Sequence, residues 1–436
     1  MNLVSTRDSK KIVSFRNAVL DCMPGDGGLY VPAREEDLRP WVMYMDETTS
    51  FSSIAGTLTS ALLKEEFSPV VCEGIAATAF KNWSPELRQL DSNLFSLELF
   101  HGPTGNHKDF GFLWLASALE HILTMEDRTA VVLAATSGPG GRSMAAAFAG
   151  KKRLKTILIY ARGTLMGLDP SVLAWNGGNI YPVEIDGDFK AAQNLVRTMY
   201  SDKKIVETYG LTLANTINIG RLLPQVFFYM YAFTRLRKKV RGDIFYAVPS
   251  GNYGNLVAGL YAWKFSLPVN GFITDATPSL SCDATGRCFC LDSIVPLLER
   301  GTADPASPSN LERLEQVFAV NPAMLRGLVF PAEINSDLVP DFMFDAWKKY
   351  GVMFDSATAS VYGAVKSMQE RINSDEGTVV LLSKDHPSFE ADKLRVACGE
   401  SPKIPSFLED SSMPVKGAKI IKAEKSALEQ VLRDFA

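Results

Sequence analysis

From residue 95 onward, short apolar segments alternate with segments that have helical spacing. The predicted strands are 129–135, 156–161, 180–185, 244–248 and 378–382. The predicted helices are 143–148, 189–199, 256–265 and 426–435. Strands that are apolar throughout and alternate with helices are typical of a parallel sheet covered by helices on both faces. We therefore expect an α/β fold with open parallel sheets.

The pattern also predicts how the chain is divided. The expected parts are an N-terminal accessory domain (1–94), an α/β core (95–330, with a smaller subdomain at roughly 110–210) and a C-terminal part that completes the larger core domain (331–436). In the first part, residues 54–67 have the pattern of a mostly apolar helix. The segment 282–330 has few regular patterns, and we interpret it as long connections with short helices, such as 311–317.

Composition and charge exclude several classes of function. The 436 residues carry a net charge of −4 without a basic stripe, so a nucleic-acid partner is not expected. No apolar run approaches the ~20 residues of a membrane helix, and the N-terminus lacks the apolar segment of a secretory signal. The one cysteine cluster, Cys282, Cys288 and Cys290, has no histidine nearby in sequence, so we expect reduced thiols and no metal site. These features favour a cytoplasmic protein, either a monomer or a homodimer.

A glycine-rich loop follows the predicted strand 244–248 and precedes a helix. It consists of Ser250, Gly251, Asn252, Tyr253 and Gly254. Glycines allow several backbone N–H groups to approach one point, and a helix N-terminus favours an anion. Ser250 and Asn252 can add side-chain donors. The loop is either a phosphate-binding site or a plain tight turn.

A second loop of this kind joins the predicted strand 129–135 to the next helix. It begins with Thr136, Ser137 and Gly138 and continues through Pro139 to Gly141. The loop could hold a carboxylate or a phosphate by the same physical reasoning. The ending of a P-loop and the third glycine of a dinucleotide motif are both absent. The alternative is a helix entry that requires close packing.

The third loop, 100–111, places Lys108 immediately before the apolar stretch 112–123. Desolvation at such a boundary lowers the pKa of a lysine and makes its amine nucleophilic. Taken alone, Lys108 could equally be an ordinary surface lysine. Together the three loops supply an amine, a phosphate site and a carboxylate site, which is what a pyridoxal 5′-phosphate (PLP) enzyme acting on an amino acid needs.

The motifs resemble those of the threonine synthase family. The segment Leu97 to Thr104 followed by Lys108 to Gly111 resembles the family's lysine motif, and 249–254 resembles its loop for the PLP phosphate. The segment 215–221 resembles a stretch that helps to bind the phosphorylated substrate, with Arg221 at the family's arginine. The resemblance extends along the whole chain. It implies a fold of the tryptophan-synthase-β type (fold type II) and a Schiff base between Lys108 and PLP.

The chain departs from the family pattern at four places. The family's Ser-Gly-Asp-Thr-Gly loop is replaced by 137–141, where Pro139 cannot donate an N–H. The family's Gly-Thr-Ala-His-Pro, whose threonine bonds the pyridine nitrogen of PLP, is Ser383 to Pro387 here, with Lys384 in place of the threonine. Ser383 could take over that contact. The family's Pro-His-Thr-Ala is replaced by 356–359, and its asparagine-rich segment by 274–277.

The resemblance implies conversion of O-phospho-L-homoserine and water to L-threonine and phosphate. The expected cofactor residues are Lys108, Ser250, Gly251, Asn252, Tyr253, Gly254 and Ser383. The expected substrate residues are Thr104, Thr136, Ser137, Gly138, Asn218 and Arg221. Two alternatives stay open: a phospho-lyase that forms a 2-oxo acid from O-phosphohomoserine or O-phosphothreonine, and a catalytically silent relative that acts as a binding protein.

Overall fold

The computed structural model describes residues 1–240, 242–282, 288–290, 295–319, 321, 323–374 and 376–436. The strands, numbered in chain order, are β1 (Asn2–Ser5), β2 (Val13–Ser14), β3 (Tyr30–Pro32), β4 (Glu86–Gln89), β5 (Leu94–Glu98), β6 (Ala130–Thr136), β7 (Leu154–Ala161), β8 (Ile180–Asp186), β9 (Leu211–Thr212), β10 (Ile244–Ala247), β11 (Gly271–Asp275), β12 (Leu280–Cys282), β13 (Cys288–Cys290), β14 (Val329–Ala332), β15 (Thr378–Ser383) and β16 (Lys419–Lys422). The helices are α1 (Phe15–Asp21), α2 (Arg39–Tyr44), α3 (Phe51–Leu63), α4 (Pro69–Ala79), α5 (Lys108–Met125), α6 (Pro139–Phe148), α7 (Phe189–Ser201), α8 (Lys203–Tyr209), α9 (Ile219–Leu222), α10 (Val226–Leu236), α11 (Gly254–Lys264), α12 (Leu311–Val317), α13 (Ala323–Leu328), α14 (Val339–Tyr350), α15 (Ser356–Ser367), α16 (Gln369–Ser374), α17 (Ala391–Cys398) and α18 (Lys425–Phe435).

Two parallel sheets dominate the fold. In the first sheet the strand order is β14-β11-β10-β15-β5-β4, and only the edge strand β4 runs antiparallel to its neighbour. In the second sheet the order is β16-β8-β7-β6-β9, and all neighbouring strands are parallel. The expected α/β architecture is confirmed. Each predicted strand is present, with its ends within two residues of the predicted ones.

The N-terminal segment packs directly on helix α5. Strands β1, β2 and β3 form a small antiparallel sheet. Helix α4 lies against α5, and helix α3 lies against α10. The indole N–H of Trp114 in α5 donates to the hydroxyl of Thr59 in α3 at 3.2 Å. The ring of Phe51 meets that of Phe110 edge-to-face at 5.3 Å. Because these residues share one hydrophobic cluster, the N-terminal segment supports the helix that begins at Lys108.

Some helix ends differ from the predicted ones for identifiable reasons. Helix α3 begins at Phe51 rather than at residue 54, because the Ser50 hydroxyl accepts from the backbone N–H of Ser53 and caps the helix. Helix α6 begins at Pro139, four residues earlier than predicted, since proline suits the first position of a helix. Helix α12 has its predicted bounds. The division of the chain at residues 94 and 330 stays a prediction.

None of the described helices combines the length and apolar character that crossing a lipid bilayer requires.

Candidate active site

Four loops converge beside Lys108. Strands β10, β15 and β5 are neighbours in the first sheet, so the loops that follow their carboxyl ends lie side by side, as ligand-binding loops do in open α/β sheets. The loop after β6 belongs to the second sheet. A Cβ atom placed on Gly140 in that loop would lie 3.8 Å from Nζ of Lys108. The Lys108 amine therefore lies where the loops of both sheets meet.

Lys108 is the first residue of α5, and its environment is unusual for a lysine. Its backbone N–H donates to Oδ1 of Asn106 at 2.9 Å, which fixes the start of the helix. The side chain is half-buried. Burial is the main cause that lowers the pKa of the Lys108 amine, and the charges of Lys384 and Arg221 lower it further, while Asp385 opposes the shift. These effects favour the neutral, nucleophilic amine.

A pair of buried ionisable groups joins the lysine loop to the loop after β15. Nδ1 of His107 lies 3.0 Å from Oδ1 of Asp385, and the backbone N–H of His107 donates to the carbonyl of Lys384 at 2.8 Å. Burial lowers the pKa of His107 to about 4. Burial alone would raise the pKa of Asp385, but the hydrogen bond with His107 lowers it to about 2. A neutral imidazole and a carboxylate thus hold the two loops together.

The expected phosphate loop has the backbone shape that an anion site requires, but its side chains differ from expectation. Gly251 and Tyr253 have positive φ, of 47° and 63°. The backbone N–H and the hydroxyl of Ser250 both donate to the carboxylate of Asp275, at 2.8 and 3.0 Å. The Asn252 side chain donates to the Thr216 hydroxyl at 3.1 Å. The side-chain donors expected of Ser250 and Asn252 are therefore engaged within the protein.

Within the described residues, two backbone donors of this loop lack a hydrogen bond. These are the N–H groups of Gly251 and Asn252. The other polar groups of the loop make local contacts. The Tyr253 hydroxyl lies 2.6 Å from that of Thr277, and the backbone N–H of Gly254 donates to Oδ1 of Asn252. The loop keeps backbone donors for an anion at the N-terminus of α11.

The loop after β6 offers fewer donors than the sequence suggested. Gly138 has a φ of +132° and donates its N–H to the Thr136 hydroxyl at 3.2 Å. Thr136 is buried, whereas Ser137 is exposed. The backbone N–H groups of Gly141 and Arg142 donate to the carbonyl of Gly138. Ser137 is thus the hydroxyl in this loop that remains open to a ligand.

Arg221 is the strongest candidate for binding an anionic substrate group. It is 3% exposed, and its Nε and Nη1 atoms lack a hydrogen-bond partner among the described residues. The guanidinium lies over the ring of Phe112 at 4.3 Å. Burial lowers the pKa of Arg221 to about 9, and the charge of Asp109 opposes that shift. A buried cation with unused donors is costly unless an anion joins it.

Two other expected substrate residues have structural partners instead. The Asn218 side chain caps α9 by accepting from Gly220 and donates to the carbonyls of Val19 and Leu213. The Thr104 hydroxyl donates to Asp109 at 2.5 Å. Because both groups are already satisfied, they position Arg221 and Asp109 and leave the anion to other donors.

Ser383 also has a structural partner. Its hydroxyl lies 2.7 Å from that of Ser96, and the residue is 2% exposed. If Ser96 is the donor of this pair, the Ser383 hydroxyl keeps its own O–H for the contact suggested by the sequence, with a cofactor nitrogen.

The buried polar atoms without partners cluster around Lys108. Six such side-chain atoms occur among the described residues, and four of them belong to Asn106, Arg142 and Arg221. Arg142 donates from Nη2 to the carbonyl of Thr104 but leaves Nε unused. Unused buried donors, two of them on Arg221, fit an anionic group such as a phosphate beside the half-buried Lys108 amine, so the residues present suit PLP and a phosphorylated ligand.

The comparisons with known proteins identify the family. A family model described as the threonine synthase N terminus matches residues 2–80. The chain is 31% identical to threonine synthase of Escherichia coli (strain K12) over 423 residues, which is 95% of each chain. The chain belongs to the threonine synthase family. Threonine synthase of Haemophilus influenzae is 29% identical over 94% of each chain.

The solved structures agree with membership of the threonine synthase family. PLP-bound threonine synthase from Brucella melitensis matches with a TM-score of 0.85 and 25% identity, over 100% of this chain and 99% of that chain. The E. coli enzyme matches with a TM-score of 0.80. The fold is thus that of a fold type II PLP enzyme, as the sequence predicted.

Several residues of this threonine synthase site were not predicted. Asn106, His107 and Arg142 lie inside or beside the family motifs, but nothing in the spacing shows which contacts their side chains make. Asp275 and Asp385 lie more than 20 residues from their partners, so only the strand order brings them to the site. A polar residue at the end of a buried strand or just beyond it is the signal that could have marked Asp385 and Asp275.

Proposed function

We propose that this chain is a PLP-dependent threonine synthase, which converts O-phospho-L-homoserine and water to L-threonine and phosphate. Its ligand is thus a small phosphorylated amino acid, and Lys108 carries PLP. Family membership supports the proposal, as does the PLP bound to the related enzyme from B. melitensis. The cytoplasm is the proposed location, and a monomer or homodimer the proposed assembly.

The observation that carries the proposal is the pairing of a nucleophilic amine with a buried, unpartnered guanidinium. Burial lowers the pKa of Lys108, and Arg221 keeps two nitrogens free for an anion. The charge of Arg221 acts on Lys108, so the two groups belong to one electrostatic environment. An amine that forms a covalent bond and a cation that binds a leaving phosphate are the two groups that this reaction requires.

The residues of the chain have distinct roles in the proposed reaction. When bound, PLP supplies an electron sink for negative charge that develops on substrate carbons. The Lys108 amine is the base that moves protons at Cα and Cβ of the substrate. Arg221 holds the phosphate that leaves from Cγ by charge-assisted hydrogen bonds. Water then adds at Cβ.

The test combines covalent trapping with product analysis. Wild-type protein is mixed with PLP and reduced with borohydride, and the modified peptide is identified by mass spectrometry. We expect modification at Lys108, with threonine formed from O-phosphohomoserine, and loss of both in Lys108→Ala. Normal turnover by Lys108→Ala, or modification of another lysine in the wild type, would overturn the proposal.

Arg221→Met tests the phosphate contact separately. Loss of a buried charged contact costs about 2–5 kcal/mol, so kcat/KM should fall at least 30-fold. Borohydride labelling of Lys108 should persist, because Arg221 is assigned to the substrate rather than to the cofactor. An unchanged kcat/KM would show that another residue binds the substrate phosphate.

A second candidate is a phospho-lyase, which with water would give a 2-oxo acid, ammonia and phosphate. It is favoured by the loop after β6, where Pro139 and Gly140 offer no hydroxyl or carboxylate near the Lys108 amine. Fewer groups are then present to position the water that adds at Cβ. Measuring threonine and 2-oxobutyrate from the same sample of O-phosphohomoserine separates the two reactions.

A further inference from the structure

Lys384 follows β15 and projects toward the phosphate loop. Strand β15 lies between β10 and β5, so the residue after it is next to the loop that β10 leads into. The Lys384 backbone is held on both sides: its N–H donates to the Thr358 hydroxyl at 3.4 Å, and its carbonyl accepts from His107. A Cβ atom placed on Gly251 would lie 3.5 Å from Nζ of Lys384.

The Lys384 ammonium has no anionic partner in the part of the chain that the structure describes. No carboxylate oxygen there lies within 4.0 Å of it, and it makes no hydrogen bond there. The charge of Lys384 acts on two carboxylates, and both accept hydrogen bonds elsewhere: Asp355 from the hydroxyl and backbone of Thr358, and Asp385 from His107. A half-buried ammonium therefore faces Gly251 with its donors unused.

The phosphate loop needs such a cation. Asp275 occupies two donors of Ser250 and adds a negative charge beside the loop. A phosphate dianion would be repelled by that carboxylate and would find backbone N–H groups, such as those of Gly251 and Asn252, rather than free side-chain donors of the loop. A lysine ammonium at this point offsets the repulsion and supplies charge-assisted hydrogen bonds.

We propose that Lys384 binds the 5′-phosphate of PLP, together with the backbone N–H groups of Gly251 and Asn252. This inference rests on the proposed function, since it assumes that PLP occupies the site. The family's threonine at this position serves the pyridine nitrogen, so Lys384 has a different role here. Its ammonium donates only, and it faces the opposite, phosphate-binding end of the site.

The test compares PLP with pyridoxal, which has the same aldehyde and ring but no phosphate. Dissociation constants of both compounds are measured by the absorbance of the lysine adduct for wild type and Lys384→Met. A hydrogen bond to a charged group contributes about 1.5–3 kcal/mol, so Lys384→Met should bind PLP on the order of 10- to 100-fold more weakly. Its affinity for pyridoxal should fall much less, because pyridoxal loses only the effect of Lys384 on the pKa of the Lys108 amine and no phosphate contact.

Two control variants make the comparison specific. Lys384→Arg keeps the charge and should restore most of the PLP affinity. Lys416→Met removes the same charge from an exposed position and should leave both dissociation constants unchanged. Equal weakening of PLP and pyridoxal binding by Lys384→Met, or no weakening of either, would overturn the inference.

The result also separates this inference from the proposed function. Borohydride labelling of the wild type reports whether Lys108 forms the adduct, whatever Lys384 does. If Lys108 is not labelled, the proposed function fails. If Lys108 is labelled but Lys384→Met retains full preference for PLP over pyridoxal, only the role of Lys384 fails.

Discussion

The substitution Gly111→Ala tests whether Arg221 is held rigidly against α5. A Cβ atom on Gly111 would lie 2.7 Å from Cζ of Arg221, and nearer still to its Nη1 and its backbone carbonyl. The Arg221 side chain could rotate away from the added methyl group. The Arg221 carbonyl belongs to the backbone of α9, so relieving that contact requires the helix to move. Alanine improves helix propensity by about 1 kcal/mol over glycine, whereas overpacking costs about 1–3 kcal/mol.

Gly74→Ala is the matched control, because Gly74 lies inside α4 with nothing within 4 Å of the added methyl group. It should stabilise the protein by about 0.4–1 kcal/mol. Gly111→Ala should be less stable than this control by roughly 1–3 kcal/mol, measured from urea unfolding midpoints. Its KM for the phosphorylated substrate should also rise, since the guanidinium is displaced. If both variants unfold at the same urea concentration, Arg221 is not held as rigidly as the structure indicates.

Three further predictions concern buried groups. Burial lowers the pKa of His107 to about 4, so below about pH 6.5 the unfolded chain binds a proton that folded His107 does not bind, and the contribution of His107 to stability should fall from pH 6.5 toward pH 4. His107→Asn should remove up to about 1.4 kcal/mol per pH unit of that slope; urea midpoints at pH 7 and 5 check this, and an unchanged slope would contradict it. Arg313 is fully buried and donates to the carbonyls of Tyr30 and Ile217 at 3.0 and 2.7 Å. Arg313→Met should therefore lower the free energy of unfolding by about 3 kcal/mol or more. A stability equal to that of the wild type would show that these hydrogen bonds do not stabilise the fold. The Sγ atoms of Cys282 and Cys288 are 3.3 Å apart on opposite strands, so mild oxidation should join them within one chain. Alkylation of the oxidised protein after unfolding in denaturant should then miss both thiols, because burial no longer protects Cys288. Cys288→Ser should leave Cys282 open to alkylation, and full alkylation of the oxidised wild type would refute the prediction.

The features that could be predicted from sequence are those that depend on short-range patterns. Each buried strand is mostly apolar, and the glycine-rich loops follow strand ends, so strands and candidate loops can be predicted without knowing the sheet order. The start of α5 at Lys108 is also local, because Asn106 accepts from the Lys108 backbone only two residues away. Even the early start of α6 has a local signal in Pro139.

What could not be predicted depends on contacts between distant parts of the chain. The pairing of His107 with Asp385 joins residues separated by 278 positions, and it exists because β5 and β15 are neighbours. The engagement of Ser250 by Asp275 requires β10 and β11 to be adjacent. The family resemblance suggested roles for Ser250 and Asn218, but the partners that occupy their side chains follow from this chain's own packing.

The balance of charge explains why these departures are compatible with a phosphate-binding enzyme. Three acidic side chains near the site are bound internally, by Thr104, Ser250 and His107. The pKa of Lys108 is lowered, and the other cationic side chains of the site form no ion pair within the described residues; they are Arg142, Arg221 and Lys384. Cations that are wholly or partly buried without anions destabilise a fold. A phosphate group carries a charge of about −1.5 to −2, so charge-assisted hydrogen bonds to such groups would use the free donors of Arg221 and Lys384. Under the proposed function, Arg221 binds the substrate phosphate and Lys384 the cofactor phosphate, where the lysine offsets the charge of Asp275 beside the loop.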